Sequence, residues 1–158
     1  MAGDDRSSRA SAATLLNAQR ASFGALVMLI VQFAIGIVVN LYVSLPAADR
    51  HSGLLAAIGR AFSNGPAALA VHAGLGLLLL LAAIAVVVRS AMARHVPVIV
   101  TSIVGLLAIL AAAANGASFV GDGGQPNASL AMALATAVAM LCYAVSVFVL
   151  GGGTGRGR

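Results

Sequence analysis

Four stretches of this chain, 23–45, 66–88, 96–120 and 128–150, contain no Asp, Glu, Lys or Arg. A bilayer's hydrocarbon core is about 30 Å thick, and a helix needs roughly 20 residues to cross it. Lipid offers no hydrogen bonds to a bare backbone, so each run must satisfy its own amides and carbonyls as a helix. The composition agrees: 61% of residues are hydrophobic and 8% charged, against about 25% charged in a soluble domain. A surface so poor in charge is covered by lipid rather than water. With 158 residues, the chain is long enough for one unit and not two. These features predict an all-α membrane protein built as an antiparallel four-helix transmembrane bundle.

The first run is too long for a secretory signal, whose apolar core is roughly 7–15 residues, and it reads as a retained span. Arginine placement then orients the chain. Arg6, Arg9, Arg20, Arg89, Arg94, Arg156 and Arg158 fall on one side, and Arg50 and Arg60 on the other. The positive-inside rule puts the side with more arginine, and with it both termini, in the cytoplasm. The expected organisation is a polar cytoplasmic tail over 1–22, a four-span bundle over 23–150, and a flexible cytoplasmic tail over 151–158. In the loop 46–65, Leu54, Leu55, Ile58 and Phe62 share one helical face, which suits either a short surface helix or an ordered loop with apolar contacts. The loop 121–127, GDGGQPN, is turn material. Asn127-Ala128-Ser129 fits a glycosylation sequon but lies too near span 4 to serve as an acceptor.

The net charge of +5 comes from nine arginines and no lysine. No basic patch is interleaved with aromatics, so nucleic acid is not the expected partner. The lipid bilayer is, together with a larger membrane complex or further copies of the chain. Cys142 is the lone cysteine and lacks metal-site spacing. Frequent Ala, Gly, Val and Arg fit a GC-rich bacterial genome, hence a bacterial inner membrane. No phosphate-binding loop, zinc-protease motif, paired-cysteine motif or serine elbow stands in a usable context.

Polar side chains within spans turn toward protein, because lipid offers them no partner. Here they form stripes: Gln32, Gly36 and Asn40 in span 1; His72 and Gly76 in span 2; Thr101, Gly105, Ala108, Ala112 and Asn115 in span 3; Ser129, Ala133, Thr136, Met140 and Tyr143 in span 4. Small residues on such stripes let helices approach closely. Asn40, His72 and Asn115 lie five or six residues from the outer ends of their spans. At the helical rise this is about 7–10 Å deep, so the three are expected to meet in one polar layer, with Gln32 deeper.

Three readings of His72 follow. It hydrogen-bonds Asn40 or Asn115 and fixes the register of the helices. It serves as an axial ligand of a b-type haem, with Gly74 and Gly76 making room for the macrocycle. Or it joins Asn40 and Asn115 in holding a quinone or lipid head group in the outer leaflet.

The pattern VQFAIGIVVNLYVSLP followed by HAGLGLLLLLAAIAVVV resembles one four-helix half of the haem A synthase family. That family has a Q-x-x-x-G stretch in its first helix and a histidine opening the second. Gln32, Gly36 and His72 match it. The resemblance covers spans 1 and 2. It implies haem ligation by His72, and haem-binding halves of that family pair histidines from two helices. Span 4 has none, so Met132, at similar depth, or His51 from the loop would complete the pair.

The expected function is that of a non-enzymatic accessory or subunit of a larger membrane complex, with haem handling through His72 and quinone or lipid binding as alternatives. His95 is expected at the cytoplasmic interface and His51 at the surface. Tyr42 is expected as an interfacial anchor, Cys142 as a packing residue, and Tyr143 with a bond to a neighbouring helix.

Overall fold

Buried positions recur every three or four residues along each helix. In the computed structural model, which describes residues 2–42, 59, 63, 66–121 and 124–152, four long helices are present: α1 (Ala2–Tyr42), α2 (Ala67–Ala93), α3 (Val96–Gly121) and α4 (Pro126–Gly152). Along α1 the most buried residues are Ala18, Ser22, Ala25, Leu29 and Val39. Along α2 they include Leu79, Ala83, Val86 and Ser90. Along α4 they are Thr136, Ala139, Tyr143, Ser146 and Leu150. This 3-4 alternation averages about 3.5 residues, the repeat of helices packed knobs-into-holes. All four helices are long and apolar enough to cross a membrane.

Each helix packs on two others, in a ring. The most extensive seam joins α3 to α4, followed by α1 to α2, α1 to α4 and α2 to α3. The central core combines Ala25, Leu29, Leu79, Ala83, Val86, Ala108, Ile109, Ala139 and Tyr143. A second cluster of Ala18, Val98 and Leu150 closes one end. At the other end Val39 packs on Leu69. Large apolar side chains face outward, including Phe148, Leu141, Met92 and Leu107. Such a surface suits contact with acyl chains.

Small residues set the spacing between helices. Ser22, Ser90, Ser102 and Ser146, one from each helix, are fully buried. Each hydroxyl donates to a carbonyl of its own helix: Ser22 to Ala18, Ser90 to Val86, Ser102 to Ile99 and Ser146 to Cys142. A serine bonded this way costs little in an apolar interior and occupies little more room than alanine. Thr101 Oγ1 and Ser146 Oγ also meet at 2.7 Å, tying α3 to α4. On the same seam, a Cβ added to Gly105 would stand 3.0 Å from the Tyr143 ring. The Tyr143 hydroxyl is buried without a hydrogen-bond partner. That corrects the expected bond to a neighbouring helix: the ring is held by packing against Gly105.

Helix α1 differs most from expectation. It begins at Ala2 rather than near Phe23, so the polar segment expected as a tail is its first half. Residues 10–22 are dominated by Ala, Leu, Gln and Arg, with neither Gly nor Pro to stop a helix. Leu15 and Ala18 continue the inward stripe and pack beside Val98 and Leu150. Helix α2 runs on to Ala93 and α4 to Gly152. The loop residues Leu54, Leu55, Ile58 and Phe62, and His51 with them, lie outside the described residues.

Two connections can be described in part. Arg94 caps α2 in the left-handed conformation (φ 52°, ψ 29°), its amide bonded to Ala91 O. The His95 carbonyl then accepts from Val98 and Ile99 as α3 starts, and Pro97 sits in the first turn, where its missing N–H is no loss. Beyond α3, Gly124 adopts φ 87° and its amide reaches back to Phe119 O.

Gly105→Val is expected to force Tyr143 aside and to destabilise the protein by about 1–3 kcal/mol. Tyr143→Phe removes a partnerless hydroxyl and should be neutral or stabilising. Thermal unfolding in mild detergent distinguishes the two. A loss in Tyr143→Phe with none in Gly105→Val would mean that the hydroxyl, not the glycine contact, holds the seam.

Candidate functional site at the Gln32–His72 node

Among the described residues, the polar side chains that meet across the α1–α2 seam are Gln32 and His72. Both lie on the inward stripes, where the 3-4 repeat continues through Gln32 and Gly36 in α1 and through His72 and Gly76 in α2. Gln32 Nε2 donates to the His72 carbonyl at 2.8 Å. The same nitrogen lies 3.3 Å from His72 Nε2. A Cβ on Gly36 would come within 3.1 Å of His72 Cε1, and one on Gly76 within 3.1 Å of Gln32 Nε2. Each polar side chain therefore fills the gap left by the other helix's glycine.

The hydrogen-bond pattern assigns the protons. Turned over, the Gln32 carboxamide would set its oxygen against the His72 carbonyl, so the amino group must face that carbonyl. Its second N–H points at His72 Nε2, which can accept only if it carries a lone pair. The neutral ring then holds its proton on Nδ1. Two polar atoms of the node remain buried and unpaired, Gln32 Oε1 and His72 Nδ1. The node is uncharged, and no Asp, Glu, Lys or Arg lies in α2 between Ala67 and Val88.

The asparagines expected to bond His72 do not. Asn115 donates Nδ2 to Ala111 O within its own helix. Asn40 is exposed. It lines a groove of about 410 Å³ with Phe119, Gly124, Pro126, Ser129, Leu130 and Ala133. The reason is angular. A residue eight positions along a helix has rotated about 80° from the starting face, so Asn40 leaves the seam that Gln32 occupies and turns toward the junction of α3 and α4. His72 takes as partner the residue that stays on the seam and has the longer side chain.

Met132 lies elsewhere. Its sulfur stands 3.3 Å from the Cβ position of Gly116, on the α3–α4 seam. Gly76, one of the two glycines expected to make room for a flat macrocycle, is filled by the Gln32 carboxamide, and Gly36 by the imidazole. The imidazole Nε2 faces the Gln32 amino group. The residues at the node thus do not fit a b-type haem in this geometry, and His51 lies outside the described residues. Among the described residues no group of three or more His, Cys, Asp or Glu is placed to hold a metal ion.

Of the other singled-out side chains, Tyr42 is highly exposed at the end of α1. His95 is half-buried at the α2–α3 link with Nδ1 unpaired. Cys142 is half-buried, its carbonyl accepting from Ser146. Ser22, Ser90 and Ser146 escaped the reading of polar positions, although extending the 3-4 stripes through Gln32, His72 and Tyr143 leads to them. Ser102 sits next to Thr101. No family model, curated protein or solved structure matches this chain.

A double-mutant cycle of Gln32→Leu and His72→Phe tests the node. The expected coupling is about 0.6 kcal/mol, and at most about 1.7, as for other interhelical hydrogen bonds in membranes. It is read from unfolding of the four variants in detergent. Strict additivity would remove the bond from the account of stability.

Proposed function

We propose that this chain is a small multi-pass protein of a bacterial inner membrane that works without catalysis, as an accessory or subunit of a larger membrane complex. In this reading the bundle is antiparallel, both termini face the cytoplasm, and the Gln32–His72 contact is a lock between α1 and α2. The observation that carries it is the closed state of the seams: Gly36 faces His72, Gly76 faces Gln32, Gly105 faces Tyr143 and Gly116 faces Met132. Gln32 with His72 and Thr101 with Ser146 tie neighbouring helices, and among the described residues no nucleophile–base pair stands in the interior. The antiparallel arrangement is supported by the order of pairs along α3 and α4. Thr101 goes with Ser146, Gly105 with Tyr143 and Gly116 with Met132, so positions climb one helix while descending the other. Cytoplasmic termini are supported by the arginine asymmetry.

Outward-facing Phe148, Leu141, Leu134 and Leu130 on α4 offer lipid or partner helices an apolar face. A second reading, quinone or lipid head-group binding, is favoured by the groove beside Asn40, which combines a carboxamide, the Ser129 residue and the Phe119 ring. Such a mix suits a small polar head on an apolar body.

The test is purification of the full chain from its native membrane in mild detergent. A co-purifying larger membrane protein is the expected result. A clean monomer with a Soret band that disappears in His72→Ala would overturn the accessory reading in favour of haem. A clean monomer carrying extractable quinone, lost on Asn40→Leu, would overturn it in favour of the second reading.

A further inference from the structure

We infer that the Gln32–His72 node is a binding site for water within the membrane-spanning part of the bundle. The observations are the two leftover atoms. The carboxamide amino group is committed to the His72 carbonyl and ring Nε2, which leaves Gln32 Oε1 as an acceptor and His72 Nδ1–H as a donor. Both are buried, and neither has a partner. An unpaired polar group in a protein interior costs about 1–3 kcal/mol, and lipid cannot relieve it. The two atoms have opposite hydrogen-bonding character and belong to side chains already in contact. Water supplies both characters: its oxygen accepts from a donor such as Nδ1–H, and its O–H donates to an acceptor such as Oε1. Buried waters typically bridge polar groups left in this state. An apolar ligand would leave both atoms unsatisfied, and an anion would meet the acceptor Oε1.

The position of the node makes this site reachable. His72 is six residues into its span, less than two turns from Pro66, so the way to the node from that end is shorter than the one past the apolar Leu77–Val88 half. Tyr143 provides an internal contrast. Its hydroxyl is also buried and unpaired, but one hydroxyl beside Gly105 offers water fewer partners than the two to four that hold a buried water. The inference rests on the geometry of the node and stands whether or not the chain has a protein partner.

The experiment is solid-state NMR of the full-length protein, with ¹⁵N-labelled histidine, in vesicles of ether-linked phosphatidylcholine. This lipid has no hydroxyl of its own. His51→Gln and His95→Gln leave His72 as the one labelled ring. The expected result is a neutral ring protonated on Nδ1, with magnetisation passing from water to that proton. Gln32→Met, which keeps the shape and removes both the acceptor and the N–H that fixes the proton on Nδ1, should abolish the transfer to Nδ1–H while helix content stays constant. A proton on Nε2, or no transfer in the wild type, would overturn the inference. Transfer that arises only when phosphatidylglycerol or a quinol is added would overturn it too, and assign the site to a hydroxyl-bearing lipid. Should Gln32→Met fail to fold, the wild-type transfer alone decides.

Discussion

Leucine gains nothing by leaving lipid for a protein interior that is no more apolar. Helices in a bilayer associate through close van der Waals contact and a few hydrogen bonds, and both require backbones to come near one another. In this chain the approach is made by Gly36, Gly76, Gly105 and Gly116, each with a neighbour's side chain at or inside normal contact distance of its absent Cβ. Fully buried Ala18, Ala83, Ala139 and four serines do the same at other levels. The serines are polar by composition and apolar in behaviour, because each hydroxyl is returned to its own helix. The large side chains left over face outward.

The node between α1 and α2 is one instance of that constraint. Glutamine and histidine enter the seam because glycine opposes each of them. Once there, the two cannot satisfy every donor and acceptor. Gln32 has two N–H bonds and His72 one lone pair and one carbonyl to receive them. The count leaves a donor and an acceptor over, and it is this arithmetic, rather than any motif, that points to a further molecule. The haem-like pattern Gln32, Gly36 and His72 arises from the same residues. In the folded chain Gly36 faces the imidazole and Gly76 the carboxamide.

Much of the architecture was legible in the order of residues. Uncharged runs of membrane-spanning length dictate helices, because the backbone has no other way to satisfy itself in lipid. The stripes through Gln32, His72, Gly105 and Tyr143 do fall on the inner faces. Less legible was the start of α1. A search for uncharged runs stops at Arg20, whereas helix propensity and the buried Ala18 and Ser22 carry the helix back past it. Partner choice at the node was misjudged for a geometrical reason: depth alone placed Asn40 level with His72, and the drift of the helix turned it away.

The sequence by itself determined that four helices form, where their greasy cores lie, and which faces hold small and polar residues, since these follow from backbone satisfaction and helical periodicity. Only the tertiary structure decided which polar groups touch. Hydrogen bonds between helices depend on rotation and spacing to within an ångström, and those are set by how each glycine is filled from the opposite helix.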